Sequence, residues 1–282
     1  MARNKYIEKL REDMILRGLS ESTQKSYERV VNEFLAYSGK EPRELDERDV
    51  RKYSLELIGR GYKGSTFNTY QAAIRFFFAV TLNRGMNYLQ IPRMKMEKKL
   101  PEILSREEIA LLLERCGNLK HKAIFALAYG SGLRRSEICR LKVQDIDSKH
   151  MRVFVRDGKG GKDRYTILSQ SCLEILRDYW RAYRPKHPEG WLFLGLSNHT
   201  HIVASGIDLA MQKWLREAGI SKHVNFHSLR HAFATYLLQD GTDIFTIKEL
   251  MGHRSISSTT LYLRMAAPDV TSPADRLYNY VR

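Results

Sequence analysis

A short segment at residues 91–104 constrains the fold of this chain more than any other, because no regular element can run through it. The segment reads IPRMKMEKKLPEIL, and between Pro92 and Pro101 it carries four basic residues and one acidic residue. Proline fixes its own backbone and lacks the N–H group that a helix needs. We therefore predict an extended, positively charged linker, with an ordinary surface loop as the alternative.

This interruption predicts a two-domain protein, and 282 residues are enough for two ordinary domains. The expected organisation is a helical domain at 1–90, the linker at 91–104, a second domain at 105–267 and a C-terminal tail at 268–282.

Residues 1–90 follow a helical pattern throughout. Apolar residues recur at helical spacing in two stretches, Tyr27–Leu35 and Tyr70–Phe78. A first helix is expected near 4–17, ending at Gly18, and Asp46 is expected to cap a third helix that reaches roughly Ile58. Four short helices with basic surfaces therefore predict a small all-α bundle.

The second part opens on a capping box, in which Ser105 and Glu108 satisfy each other's backbone N–H groups. Two β-rich runs, at 151–155 and 164–168, flank the turn sequence DGKGGKD. Helices are expected near 170–183, 205–218, 227–239, 243–251 and 257–264. This part should be a mixed α/β domain, mainly helical, with a small antiparallel sheet.

The charge of the chain favours a nucleic-acid partner. Its formal net charge is +15 and its isoelectric point is about 9.7, which suits a polyanion. A membrane surface is the weaker alternative, because no run approaches about 18 apolar residues. The N-terminus has no apolar stretch typical of a signal peptide. The three cysteines lack paired spacing, so we expect a reduced cytoplasmic setting and no zinc site.

Four motifs supply side chains suited to phosphate chemistry. They are GSGLRRSE at 130–137, GKGGKDR at 158–164, HSLRHAFAT at 227–235 and LMGHRSISSTTLYL at 250–263. A phosphodiester gathers negative charge in its transition state, and an enzyme without a metal must meet that charge with fixed cations. Arginine can grip two oxygens at once, so Arg134 and Arg230 are the candidates.

His227 and Arg230 are three residues apart and share one helix face. The opposite face is apolar, so this pair is expected to face out of the core and toward a ligand. His231 is expected to support the fold rather than the chemistry. Lys159, at the predicted hairpin tip, could protonate a leaving 5′ oxygen, with Lys162 as the alternative acid. GKGGK is not a P-loop, since the required spacing is absent.

In their order and wording these motifs resemble those of the tyrosine recombinases, the integrase family that includes the Xer enzymes. The resemblance is strong over 120–265 and looser over 1–90, where the Ser-x-x-Thr-x-x-x-Tyr style of helix, here Ser20 to Tyr27, is shared by many core-site-binding domains. It implies that the first domain is a SAM-like bundle. It implies a catalytic set of six residues, listed here with Tyr262 as the nucleophile: Arg134, Lys159, His227, Arg230, His253 and Tyr262.

The resemblance also implies the reaction and the assembly. Tyr262 would cleave duplex DNA through a 3′-phosphotyrosyl bond, without metal, ATP or any other cofactor, and a 5′ hydroxyl from a second duplex would reverse the step. The expected unit is a homotetramer holding two DNA sites, with a dimer on each, located on the nucleoid of the cytoplasm. The linker cations Arg93, Lys95, Lys98 and Lys99 are expected to contact DNA.

Several alternatives stay open at this level. The same residues would suit a nicking and closing enzyme of the type IB topoisomerase kind, or a catalytically silent DNA-binding module. A metal-dependent transposase would need a carboxylate cluster that the sequence does not suggest. The target site, the use of a second recombinase or accessory protein, and the choice between resolving chromosome dimers and moving a genetic element are not specified. The tail predicts a short amphipathic helix that docks on its own domain, docks on a neighbouring protomer or frays.

Overall fold

The computed structural model describes residues 2–86, 93–95, 100–158 and 162–266. The chain forms two compact units, Met1–Lys99 and Leu100–Arg282. Lys159 and the linker residues Lys98 and Lys99 lie outside the described residues, as does the tail at 268–282.

The first unit is a helical bundle. Its helices are α1 (Ala2–Leu16), α2 (Glu21–Ser38), α3 (Glu47–Gly59) and α4 (Gly64–Phe76), and α4 continues as a π-helical turn over Phe77–Thr81. The apolar stripe predicted at 70–78 therefore spans two helix types rather than one.

Local sequence explains where these helices begin. The Ser20 side chain accepts from the backbone N–H of Thr23 at the start of α2, and Asp46 and Asp49 form a capping box at the start of α3. The core of this unit is rich in aromatic rings, and Phe34, Tyr53 and Tyr70 are almost completely buried.

The described part of the linker is attached to this first unit. The side-chain amide of Asn68, on α4, donates to the carbonyl of Met94 and accepts from its N–H, both at 3.0 Å. The backbone between Arg93 and Lys95 is therefore fixed against α4 by two hydrogen bonds, and the two basic side chains flank that anchor.

The second unit contains eight α-helices, two short 3-10 helices (Val143–Asp145 and Ile256–Ser258) and three strands among the residues that the structure describes. The helices are α5 (Arg106–Arg115), α6 (Leu119–Gly130), α7 (Arg135–Cys139), α8 (Gln170–Tyr183), α9 (Ala204–Glu217), α10 (Phe226–Gln239), α11 (Ile244–Met251) and α12 (Thr260–Met265). The strands are β1 (Ile146–Asp147), β2 (Arg152–Gly158) and β3 (Lys162–Ile167). Helix α6 is buried on nearly all sides and packs against α8 and α10.

The sheet is antiparallel in the order β1-β2-β3. Strands β2 and β3 form the predicted hairpin, with Arg152 opposite Ile167 and Phe154 opposite Tyr165. The two-residue strand β1 was not predicted, because Ile146 and Asp147 are too few to give a β pattern. The fold class is confirmed: an all-α bundle and a mainly helical domain with a small antiparallel sheet.

A sharp turn at Gly132 connects α6 to α7. Its φ is +62°, and a Cβ atom there would lie 2.4 Å from the ring of Phe233. Only glycine satisfies both conditions without strain. The turn consequently brings the start of α7 close to α10, and these two elements carry the two arginines singled out above.

Candidate active site

Arg134 begins α7 and is held by the carboxylate three residues later. Its backbone N–H donates to Glu137 Oε2 at 2.7 Å, and its Nη1 donates to Glu137 Oε1 at 2.7 Å. The side chain retains 17% of its exposure. Its guanidinium is therefore held in position and still reaches solvent.

Glu137 is a buried anion shared by several arginines. Arg164, from β3, donates Nη1 to Oε1 and Nη2 to Oε2, both at 2.9 Å, and Arg230 Nη1 lies 4.0 Å from Oε2. Burial acts to raise the pKa of Glu137, but the hydrogen bonds and charges of Arg164 and Arg134 lower it to about 2. Glu137 is therefore ionised at neutral pH and balances the positive charge around it.

The same three arginines hold the C-terminal end of α11 through consecutive carbonyls. Arg164 Nε donates to Leu250 O at 2.9 Å, Arg230 Nη2 to Met251 O at 2.5 Å, and Arg134 Nη2 to Gly252 O at 2.8 Å. The last carbonyls of a helix have no partner within the helix, and cations are favoured there.

Gly252 lets this turn approach the arginines closely. Its φ is +60°, and a Cβ atom there would lie 2.9 Å from Cδ of Arg164. A residue with a side chain would be strained by its backbone and would also push Arg164 away from Glu137.

Arg230 is buried, with 1% of its surface exposed, so the expectation that it faces out of the core was wrong. The reason is that its guanidinium satisfies main-chain carbonyls: Nη1 donates to Gly132 O as Nη2 does to Met251 O. Burial and the charge of Arg134 lower the pKa of Arg230, while Glu137 opposes them. Its Nε is buried and has no hydrogen-bond partner among the described residues.

Two histidines lie one turn apart on α10. The backbone N–H of His227 donates to Asn225 Oδ1 at 2.8 Å at the helix start. Its ring meets that of His231 edge to face, with centroids 4.7 Å apart. Partial burial of the rings and nearby positive charges lower the pKa of both histidines to about 4, so both are neutral at pH 7.

Tyr262 lies on α12 in a small apolar cluster with Phe233, Ile247 and Met251, and is 2% exposed. Its hydroxyl is 3.1 Å from Nδ1 of His231. Burial raises the pKa of Tyr262, whereas the charges of Arg230 and Arg134 act to lower it.

His253 is a second histidine beside the tyrosine. Its ring is parallel to that of Tyr262, with centroids 6.2 Å apart, and its Nδ1 is 3.0 Å from Thr259 Oγ1. Burial and nearby arginines, Arg230 first, lower the pKa of His253 to about 3.

A cleft of about 680 Å³ opens beside Arg134 and His227, between α7, α9 and the start of α10. Asp208 on α9 lines its far wall, where it is paired with Arg135. Five of the six predicted site residues thus lie around one region of the second unit. Lys159, the sixth, lies outside the described residues.

Glu137 and Arg164 lie among these residues and were not predicted, and so does His231, which was expected to support the fold rather than the chemistry. All three stand inside the quoted motifs, as the glutamate of GLRRSE, the arginine of GKGGKDR and the second histidine of HSLRH. Their presence in these motifs was the one feature of the sequence that could have indicated a place in the site. Arg164 is 27 residues from Glu137, however, and Tyr262 is 31 residues from His231, so these two contacts could not be identified from spacing.

Neither a membrane span nor a metal site is found in the described ranges. No helix there is long and apolar enough to cross a bilayer. No group of three or more histidine, cysteine, aspartate or glutamate residues is arranged there to hold a metal ion.

Comparison with protein families matches both parts of the chain. Residues 88–268 match the phage integrase family, and residues 6–87 match the N-terminal SAM-like domain of phage integrases. The first match alone covers more than half of the chain and includes all six predicted site residues.

Individual relatives, matched over most of their length, support the same family. The Sinorhizobium fredii protein y4qK, whose name places it among integrases or recombinases, is 44% identical, covering 93% of this chain and 85% of the relative. The tyrosine recombinase XerA of Pyrococcus furiosus is 32% identical, covering 97% and 94%. A crystal structure of the XerH site-specific recombinase bound to difH DNA after cleavage shares the fold, with a TM-score of 0.71 at 20% identity over 89% of this chain and 78% of that one. The chain therefore belongs to the phage integrase family and is a tyrosine-type site-specific recombinase.

Proposed function

We propose that Arg134, His227, Arg230 and His253 bind the scissile phosphate of a DNA duplex and that Tyr262 attacks its phosphorus. The observation that supports these roles is convergence. Arg134 donates to the carbonyl of Gly252 and Arg230 donates to the carbonyl of Met251, in the turn that precedes Tyr262. The positive charges of both arginines act to lower the pKa of the Tyr262 hydroxyl. The open side of Arg134 supplies donors for phosphate oxygens. The buried Nε of Arg230, which has no hydrogen-bond partner among the described residues, supplies another.

The chemistry follows from this assignment. The Tyr262 oxygen bonds to phosphorus, the bond to the 5′ oxygen breaks, and the products are a 3′-phosphotyrosyl ester and a free 5′ hydroxyl. Because the ester keeps the bond energy, rejoining needs no ATP. We assign protonation of the leaving 5′ oxygen to Lys159, with Lys162 as the alternative, on the resemblance of the GKGGK turn to the family's hairpin.

Covalent trapping tests this function directly. Wild-type protein is mixed with genomic DNA fragments in excess EDTA, and covalent complexes are isolated, sequenced and digested for mass spectrometry. We expect adducts to form in EDTA, because the cations are side chains, and the modified peptide to contain Tyr262. Loss of adducts in EDTA with recovery in magnesium, or an adduct on another residue, would contradict the proposal.

The linker is proposed to contact the DNA backbone through Arg93, Lys95, Lys98 and Lys99. Replacing all four with alanine should make the plot of log K against log salt shallower, by about 0.9 for each phosphate contact that is lost. The matched control exchanges arginine and lysine at the same four positions, which keeps the charge and should keep the slope. Equal slopes for the alanine variant and the wild type would show that the linker does not neutralise phosphates.

We further propose a dimer on each DNA site and a homotetramer on two sites, as the family resemblance implies, with the tail at 268–282 docking on a neighbouring protomer. DNA as the partner is supported by the net charge of +15 and by the solved XerH complex. A place on the nucleoid of the cytoplasm is the corresponding location. Roles in resolving chromosome dimers and in moving a genetic element are both compatible with this chemistry.

A further inference from the structure

The Tyr262 hydroxyl is hydrogen-bonded to His231, a residue that has no role in the proposed function. We propose that His231 is a catalytic residue: its Nδ1 accepts the proton of Tyr262 when the phenolic oxygen attacks the phosphorus. This inference rests on the proposed role of Tyr262 as nucleophile.

The first support is geometric. His231 Nδ1 lies 3.1 Å from the phenolic oxygen, within the range in which a base can take a proton directly. The contact joins α10 to α12, residues 31 apart in sequence, so it is produced by tertiary packing. Because Tyr262 is 2% exposed and His231 is partly buried, bulk water does not compete freely for this hydrogen bond.

The second support comes from comparing the histidines around the tyrosine. Nδ1 of His253 is already paired with Thr259 Oγ1 at 3.0 Å. The ring of His227 meets the ring of His231, with centroids 4.7 Å apart. Within the described residues, the phenolic oxygen of Tyr262 forms its hydrogen bond with His231.

The third support is the charge state of the ring. His231 is neutral at pH 7, since burial and the charge of Arg230 lower its pKa, and a neutral imidazole can accept a proton. With Nδ1 as the acceptor, the ring hydrogen is on Nε2. A phosphate entering the pocket adds negative charge close to the ring, which favours the protonated form as the reaction proceeds.

The step balances in atoms and charge. The O–H bond of Tyr262 breaks and its proton passes to His231 Nδ1 as the O–P bond forms. The P–O5′ bond breaks, and the leaving oxygen receives a proton from the general acid assigned to Lys159. In rejoining, His231 returns its proton to the departing phenolic oxygen.

Substitution separates proton transfer from simple positioning. Asparagine at 231 places an amide oxygen near the position of Nδ1, where it accepts a hydrogen bond but takes no proton at neutral pH. The probe is a nicked duplex whose sequence comes from the fragments that the wild type traps, so that the cleaved strand diffuses away. The rate of adduct formation is measured in a single turnover, together with the Kd for the same duplex and the Tm.

We expect His231→Ala and His231→Asn each to form the adduct about 10²–10⁴-fold more slowly than the wild type, the usual contribution of a general base, with Kd unchanged. Added imidazole should speed up His231→Ala, which has space for it, but not His231→Asn or the wild type. His187→Ala, a change at an exposed histidine remote from the site in sequence, should match the wild type throughout.

Two results would overturn the inference. One is a wild-type or faster rate for His231→Asn, which would reduce His231 to a positioning residue. The other is a wild-type or faster rate for His231→Ala, which would leave it no part in cleavage. If His231→Ala fails to fold, as its Tm would reveal, the asparagine variant decides the question alone. An adduct on a residue other than Tyr262 would instead refute the proposed nucleophile, and this inference with it.

Discussion

Tyr262→Phe is expected to bind its DNA site with the affinity of the wild type and to form no covalent adduct. The substitution keeps the ring that packs against Phe233, Ile247 and Met251 and removes the hydroxyl bound to His231. Removing a catalytic nucleophile costs on the order of 10⁶ in rate in well-studied enzymes. The adduct yield on a nicked duplex should therefore fall below detection, while the gel-shift Kd stays within about twofold, since a change of 0.4 kcal/mol or less is typical of a neutral substitution.

Tyr183→Phe is the matched control for this experiment. Tyr183 lies at the end of α8, is 50% exposed and packs on Tyr179 with the two rings tilted by 33°. It loses the same single hydroxyl without touching the candidate site, so its adduct yield should equal that of the wild type. A normal yield from Tyr262→Phe, with the label mapped to a different tyrosine, would assign the nucleophile elsewhere.

The second large effect is expected at Glu137. Glu137→Gln should lower the free energy of unfolding by about 3–5 kcal/mol at pH 7, because breaking a buried ion-pair network leaves charges without compensation. In this site Arg134 and Arg164 lose their shared carboxylate, and Arg230 loses the nearest anion. Chemical denaturation of both proteins measures the difference.

The effect should depend on pH with a definite sign. The pKa of Glu137 is lowered in the folded state to about 2, from an ordinary value of 4.5. A lowered carboxyl pKa contributes stability that is fully present above about 4.5 and is lost as the pH falls toward 2. The difference in the free energy of unfolding between the wild type and Glu137→Gln should therefore be constant from pH 7 to 5 and become smaller below pH 4.5.

Glu21→Gln provides the contrast, because Glu21 is exposed and its partner is the exposed Lys25 one turn along α2. It should unfold almost as the wild type does at every pH. If the difference in the free energy of unfolding between the wild type and Glu137→Gln became larger as the pH fell, the buried carboxyl would not be ionised in the folded protein.

Much of this molecule was predictable because its signals are local. Helix stripes, capping boxes such as Ser105 with Glu108, and the β-hairpin depend on neighbours a few residues apart. The positions of Arg134 and Tyr262 came from short motifs whose wording is specific to the family.

The errors and omissions came from contacts across long sequence separations. Helical periodicity gave Arg230 an outward direction, but it contains no information about the carbonyl of Gly132, 98 residues earlier, which draws the guanidinium inward. The bidentate pairing of Arg164 with Glu137 spans 27 residues. The contact of His231 with Tyr262 likewise depends on how α12 packs on α10.

The three carbonyls at the end of α11 have a consequence for how this sequence can change over time. Since Leu250, Met251 and Gly252 hold the arginines through the main chain, exchanging the first two side chains for others of similar volume leaves every one of these contacts intact. An inserted or deleted residue in α11 is different, because it rotates the helix end by about 100° and removes all three acceptors at once. Natural variation and protein engineering should therefore succeed here by substitution and fail by a change of length.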